Sequence, residues 1–251
     1  VDAEIDVIRQ LGVEIKCGVE VGKDVTLDEL RAQGYEAFYI AIGCQGSRKP
    51  NLEGEDAKGV MSAVDILHKI AENHDLDLKG NKTVVIGGGN VAVDVARSTK
   101  RCGADVLGMF CLESREEMPA SSDEIFETED EGIKINNGWG VKQILTENNK
   151  VSGVVLKKCV SVFDENGRFN PQFDENDTKT VACDHLYFSI GQSIEWGDML
   201  KGEAVELGRG NAPQADSLTY QTAQKDIFVG GDVYTGPRFA IDAIAAGKEG
   251  A

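Results

Sequence analysis

The sequence predicts a doubly wound α/β fold, in which parallel strands are joined by helices packed on the sheet. Three observations carry that expectation. Apolar runs of strand length alternate along the chain with segments of helical period. Several of those runs stop abruptly at glycine, at Gly43, Gly87 and Gly191. The run before Gly87 also feeds a glycine turn that opens directly into a helical pattern. Strand, helix, strand in that order implies parallel pairing through a right-handed crossover.

Taken in order, residues 2–11 place Ile5, Ile8 and Leu11 at helical spacing, and Gly12 supplies the stop. Val13-Glu14-Ile15-Lys16 alternates as a strand does. Thr26 with Glu29 forms a capping box, and Val25 with Leu30 a hydrophobic staple, at the next helix start. Ala37–Ile42 is continuous and apolar, the pattern of a strand buried on both faces. A polar loop from Gly46 to Gly59 precedes a helix capped by Ser62 and running to about Ile70, and residues 72–81 read as a linker. Strand Thr83–Ile86, helix Val91–Arg101 and strand Asp105–Cys111 then form the best-defined unit. Ser121 and Glu124 make a second capping box before a helix over Asp123–Asp130, whose acidic face is expected in solvent. Strands are expected at 133–135, 142–146 and 151–158, with a polar hairpin or surface loop over 164–180. Asp184–Ile190 and Asp226–Val229 are the last strands. Gly230-Gly231-Asp232 and a small-residue helix over Phe239–Ala246 follow.

The bulk numbers narrow the function. With 251 residues, 41% apolar and 27% charged, the chain has material for one large or two modest cores. Its formal charge of −17 argues against a nucleic-acid or anionic-membrane partner. No apolar run approaches the roughly 18 residues of a membrane span, and no signal-peptide pattern opens the chain, so a cytoplasmic protein is expected. The six cysteines, Cys17, Cys44, Cys102, Cys111, Cys159 and Cys183, include no C-x-x-C pair. Neither a metal site nor a thioredoxin-type dithiol is encoded locally, and reduced, mostly buried thiols are expected.

The sharpest signal is Ile86-Gly87-Gly88-Gly89-Asn90-Val91-Ala92, which fits G-x-G-x-x-A between a strand and a helix. Gly87 permits the tight turn, Gly89 lets a pyrophosphate approach the backbone, and Ala92 allows close helix–strand packing. The free N–H groups of the helix start then face the phosphates. Glu113, just past the second strand, suits hydrogen bonding to an adenosine ribose and would repel a 2′-phosphate. Arg115, two residues on and next to Ser114, would instead pair with that phosphate. The expectation is NAD(H) ahead of NADP(H).

The strings VTLDELRAQGYEAFYIAIG, VVIGGGNVAVDVARS, REEMPAS and IFVGGDVYTGPRFAIDAIAAGKEGA resemble the glutamate synthase small-subunit family of flavin-dependent oxidoreductases. The resemblance implies a Rossmann-like NAD(P)-binding domain over residues 80–187, inserted into an FAD-binding domain of the same class made of 1–79 and 188–251. Gly43 and Gly191 match the glycines where the chain crosses between those domains. Gly231 and Asp232 match the FAD-binding acid motif, and the helix start at Ala240 and Ile241 matches the one facing the flavin. The family's opening G-x-G-x-x-G has no counterpart here. The resemblance therefore implies an incomplete FAD domain and a fragment inactive by itself. NADP-using relatives carry an aromatic and two arginines where this chain has Cys111-Leu112-Glu113, which again points to NAD(H).

What the resemblance implies chemically is hydride transfer between NAD(P)H and FAD, with electrons passed to an iron–sulfur protein or subunit. The cofactors carry that chemistry, so no side chain is assigned a catalytic role. His68, His74 and His185 read as surface or packing residues, and Met118-Pro119-Ala120 either lies near the nicotinamide or is a plain turn. The competing reading is a non-catalytic NAD(H)-binding sensor or assembly module.

Overall fold

The computed structural model describes residues 2–74 and 76–251. Val1 and Asp75, the latter within the expected linker, lie outside the described residues. The chain forms two compact units, an outer one made of the chain up to Cys44 together with Ile194–Ala251, and an inner one of Gln45–Ser193. Residues 45–79 and 188–193, expected with the outer segments, thus group with the inner unit.

In the outer unit, α1 (Asp2–Gln10) ends before Gly12, which holds φ 91°. None of its residues is buried. The strand expected over 13–16 does not form. An alternating segment becomes a strand only by pairing, and these exposed residues have no strand partner among the described residues. α2 (Leu27–Ala32) starts at the expected capping box, with Glu29 N–H donating to Thr26 Oγ1 at 3.2 Å and Thr26 N–H to Glu29 Oε2 at 2.8 Å. β1 (Phe38–Ile40) follows.

The inner unit begins with β2 (Gly46–Ser47), β3 (Val60–Ser62) and α3 (Ala63–Glu72), whose Ser62 cap accepts from Asp65 N–H. Then come β4 (Lys82–Ile86), α4 (Asn90–Arg101), β5 (Asp105–Cys111), α5 (Ser122–Asp130) and β6 (Ile135–Asn137). Three long or edge strands follow, β7 (Trp139–Glu147), β8 (Lys150–Phe163) and β9 (Phe169–Ala182), and then β10 (His185–Phe188) and β11 (Gln192–Ser193). The main sheet is parallel, in the order β3-β10-β4-β5-β6. β3 explains the shifted boundary, because it forms the edge of this sheet beside β10.

β4 is central and Val84 and Val85 are fully buried, one toward each face. On Val85's side, α3, α4 and α5 supply Ile66, Val93, Ala96 and Ile125 to one core. The other face carries an antiparallel sheet, β7-β8-β9, whose Ile144, Val154 and Leu156 pack with Val84 and Phe188. Sequence reasoning placed most of these strands but not their role as a covering layer. Asn148 and Asn149, at φ 51° and 58°, make the two-residue turn that sets the β7–β8 pairing. The acidic face of α5 is also not simply solvated. Arg97 of α4, 16% exposed, is bonded to Glu124, Glu127 and Glu131.

The outer unit closes with β12 (Ile227–Val229), α6 (Asp232–Thr235) and α7 (Ala240–Gly250). β12 pairs parallel with β1. Burial of β1 on both faces is not observed. Phe38 and Ile40 are buried, whereas Tyr39 is 38% exposed because α7 covers only part of its ring. Its hydroxyl donates to Ala246 O at 2.8 Å, and a Cβ on Gly230 or Gly250 would overlap the ring or its hydroxyl.

Arg31 of α2 ties this unit together. Its guanidinium bonds Glu203 through both Nη atoms at 2.7 Å and Asp226 through Nε at 2.6 Å, and it stacks 5.3 Å from the Phe38 ring centroid. The Glu203 side chain is 6% exposed, so truncating Arg31 strands a buried carboxylate. Arg31→Met is expected to destabilise the outer unit by about 3 kcal/mol in urea titrations followed by Trp196 fluorescence in a Trp139→Phe background. The Arg31 guanidinium also holds the Asp226 carboxyl below its ordinary range. A carboxylate whose folded pKa is depressed contributes stability above its unfolded value, about 3.9, and that contribution is lost as pH falls through the folded pKa. Asp226→Asn should therefore flatten the pH dependence of outer-unit stability below about pH 4.

Candidate functional site

The glycine turn stands at the carboxyl end of β4, where ligands bind in open α/β sheets. Gly87 holds φ 146°, donates its N–H to Phe110 O at 2.9 Å, and faces Ser189 so closely that a Cβ would overlap the Ser189 carbonyl. Gly88 lies under Glu113, and a Cβ there would stand 2.9 Å from Glu113 Oε2 and 3.0 Å from Cys111 Cβ. Gly89 differs from both. It caps α4 with an ordinary φ of −94°, and its missing side chain would point into open space with nothing within 4 Å. This is the gap that a ligand's close approach to the backbone requires. Ala92 is fully buried in the core beneath, and Val91 packs against that core.

Asn90 has a structural task. Its Oδ1 accepts from Ser121 N–H at 2.9 Å, while Ala120 N–H donates to Gly88 O at 3.1 Å. The Met118–Ser121 segment is thereby fastened to the glycine turn, and the amino terminus of α5, capped by Ser121, begins beside it.

The Glu113 carboxylate accepts no hydrogen bond from the described residues, although its main-chain carbonyl is held by Gly138 N–H at 3.2 Å and Asn137 Nδ2 at 3.1 Å. Ser114 N–H donates to Glu117 Oε2. Arg115 makes a two-armed pair with Glu129 at the surface, one arm at 2.7 Å. Glu113 is thus brought over the turn and Arg115 is not. Sequence reasoning missed Asn137 and Ser189. The Asn137-Gly138 pair after an apolar strand is the usual mark of a turn, and it was the available signal for the first.

The other matched residues are distributed between the units. Gly43, at φ 68°, belongs to the outer unit just before its crossing, and Gly191, at φ 116°, to the inner unit just before the return. A Cβ on Gly191 would stand 3.1 Å from Arg48 Cδ. In the outer unit, Gly231 at φ 68° turns β12 into α6, and Asp232 Oδ1 accepts from Arg238 N–H at 3.2 Å. Asp232 therefore fixes the loop leading to Ala240 and Ile241, which open α7 exposed to solvent.

A sequence model of the family described as pyridine nucleotide-disulphide oxidoreductase matches residues 4–247. The chain belongs to that family. Over 99% of its length it is 32% identical to the NADP(+)-dependent formate dehydrogenase subunit beta of Moorella thermoacetica, covering 35% of that protein. It is 31% identical over 98% of its length to the glutamate synthase [NADPH] small chain of Escherichia coli K12, covering 55% of it. It is also 31% identical over its whole length to an NAD-dependent dihydropyrimidine dehydrogenase subunit of Escherichia coli O157:H7, covering 54%. The chain thus spans between about a third and just over half of these curated relatives. The resemblance to glutamate synthase small subunits holds. The fold is shared with Mycobacterium tuberculosis FprA in complex with NADPH, at TM-score 0.71 and 20% identity over 92% of this chain and 65% of that one. It is shared too with T. acidophilum thioredoxin reductase, at TM-score 0.62 and 19% identity over 85% of this chain and 63% of that one.

Despite the family's name, the cysteines here form no bridge; Cys44, Cys111, Cys159 and Cys183 are buried and Cys17 is exposed. Burial pushes the Cys111 and Cys183 thiols up to about 12, so both are protonated near neutrality. A cavity of about 600 Å³ lined by Lys58, Lys82, Lys150 and Asp184 lies at the amino ends of β4 and β10, the end of the sheet away from the glycine turn. No helix of the described residues is long and apolar enough to cross a membrane. Iodoacetamide at neutral pH should label Cys17 first and leave Cys111 and Cys183 unmodified until the protein is unfolded, as read by peptide mass spectrometry; early labelling of Cys111 would contradict its burial.

Proposed function

We propose that this chain is the dinucleotide-handling part of a flavin-dependent oxidoreductase, that it binds NAD(H) in preference to NADP(H), and that electrons leave toward an iron–sulfur centre on a partner subunit. The single observation that carries the reading is the open cradle at Gly89, next to the Gly88 over which an unengaged Glu113 carboxylate stands, at the amino end of a 12-residue helix. In this reading Gly87, Gly88 and Gly89 and the first N–H groups of α4 hold the pyrophosphate, and Glu113 accepts from the adenosine ribose. With Arg115 paired to Glu129, a 2′-phosphate would meet the Glu113 carboxylate. The relatives with NADPH or NADP(+) in their names do not by themselves favour this preference, and the chain's own residues are what support it.

The outer unit is read as the flavin side. Gly231 and Asp232 shape the loop before α7, and the free amides at Ala240 and Ile241 give that helix start a positive field. Gly43 and Gly191, at φ 68° and 116° beside the crossings, belong to the proposed cofactor-binding set. The nicotinamide and flavin, when bound, supply the hydride exchange themselves. The chain's task is to bind, orient and keep water out, which accounts for a site without an assigned acid or base. Relatives described as subunits and chains of larger enzymes support the proposal of an onward acceptor on another polypeptide. Nothing in the site favours a purely sensing role.

Calorimetric titration of the full-length protein with NADH and NADPH tests the reading. Wild type should prefer NADH, and Glu113→Ala should weaken NADH by roughly tenfold, the scale of a lost hydrogen bond to a charged acceptor, and narrow the gap to NADPH. Threonine is about as good as glycine at a helix N-cap, so Gly89→Thr should leave the unfolding temperature nearly unchanged. It should nonetheless abolish binding of both nucleotides by filling the cradle. Undiminished binding by Gly89→Thr would rule out the cradle as the pyrophosphate site.

A further inference from the structure

Glu113 stands two residues beyond the last ladder pair of β5, which joins Cys111 to Asn137 of β6. Past that pair no strand pairing fixes the backbone, yet the Glu113 carboxylate is placed 2.9 Å from where a Gly88 Cβ would be. The fixing comes from Asn137. Its Nδ2 donates to Glu113 O at 3.1 Å and to Cys111 Sγ at 3.3 Å, and Gly138 N–H donates to the same Glu113 carbonyl at 3.2 Å. The Cys111 thiol also donates to the Glu113 carbonyl, at 3.8 Å, but S–H is a weak donor, and the amide nitrogen of Asn137 is the side-chain donor that reaches both acceptors at normal distance. Gly138 holds φ 73°, the left-handed conformation in which its N–H joins the side-chain amide on one carbonyl. Two donors on adjacent residues thus extend the grip of β6 past the end of the sheet.

We propose that Asn137 is a positioning residue that sets the dinucleotide preference, by locking Glu113 so that its carboxylate stays over the glycine turn. The proposal rests on Glu113 being the ribose acceptor. Asn137 needs no contact with the nucleotide. When its amide is removed, the Glu113 carbonyl keeps only the Gly138 N–H and the long, weak Cys111 thiol contact at 3.8 Å, and the carboxylate loses its fixed place over Gly88. A wandering carboxylate accepts less well from a 2′-hydroxyl and repels a 2′-phosphate less, so the two affinities converge.

The test is the ratio of NADPH to NADH dissociation constants, measured by calorimetry on the full-length protein for wild type, Asn137→Ala, Glu113→Ala and the double variant. Asn137→Ala is expected to weaken NADH roughly 5- to 10-fold, the equivalent of about one hydrogen bond, and to change NADPH less than about twofold. In the Glu113→Ala background the same substitution should leave the ratio where Glu113→Ala has put it. A ratio that stays at its wild-type value in Asn137→Ala, while Glu113→Ala lowers it, overturns the positioning role and leaves the ribose reading intact. A ratio unmoved by Glu113→Ala sinks both. If Asn137→Ala does not fold, Asn137→Asp keeps the shape, replaces the donor with a carboxylate that repels the Glu113 carbonyl, and must lower the ratio at least as far.

Discussion

The rest of the inner unit depends on the absence of a side chain at Gly87. There β4 must stop, reverse its backbone and start α4 within a few residues, directly against the end of β10. The Ser189 carbonyl occupies the space a Cβ would need, and φ 146° is a conformation that other residues seldom adopt. Because the turn is so tight, α4 begins at the sheet end and lies back across it, bringing Ala92, Val93 and Ala96 onto Val85. The same turn leaves the first amides of α4 pointing outward and Gly89 open. The packing of α4 and the open turn at its start are therefore two results of one backbone constraint.

The two units solve the problem of cohesion differently. The inner unit has a five-stranded sheet with an apolar core on each face. The outer unit has a two-stranded sheet and one smaller core, and relies on Arg31 bridging α2, Glu203 and the start of β12. A hydrogen-bonded charge network of that kind is specific in geometry, since each arm of the guanidinium must find its acceptor. It also leaves apolar surface open, with Leu11, Phe239 and Ile241 each more than 60% exposed.

How much of this was legible follows from where the signals are local. Helix starts were, because capping by Thr26, Ser62 and Ser121 is written in neighbouring residues. The β4–α4–β5 unit was, because a glycine turn between a buried strand and an amphipathic helix has few alternatives. The strand over 13–16 was not, since alternation specifies a face but not a partner. The packing of residues 45–79 with the inner sheet was hidden for a similar reason. β3 is three residues long, and only its position beside β10 makes it a strand. At the candidate site, the place of Glu113 over the turn was anticipated by its distance from it. Arg115's pairing with Glu129, the use of Asn90 to hold Ser121 and the grip of Asn137 are contacts between separate elements, and no period or spacing encodes them.

The short ribbon of β2 with β11 has a wider meaning. Gly46 and Ser47 pair antiparallel with Ser193 and Gln192, so the strand that enters the inner unit and the strand that leaves it run side by side. An insertion whose two ends already touch asks its host only to open a hairpin, and the entropy of closing that gap is nearly independent of how much chain hangs beyond it. The inner unit can thus behave as a cassette. Its β8–β9 arm can lengthen without parting the two ends that join the unit to the surrounding chain.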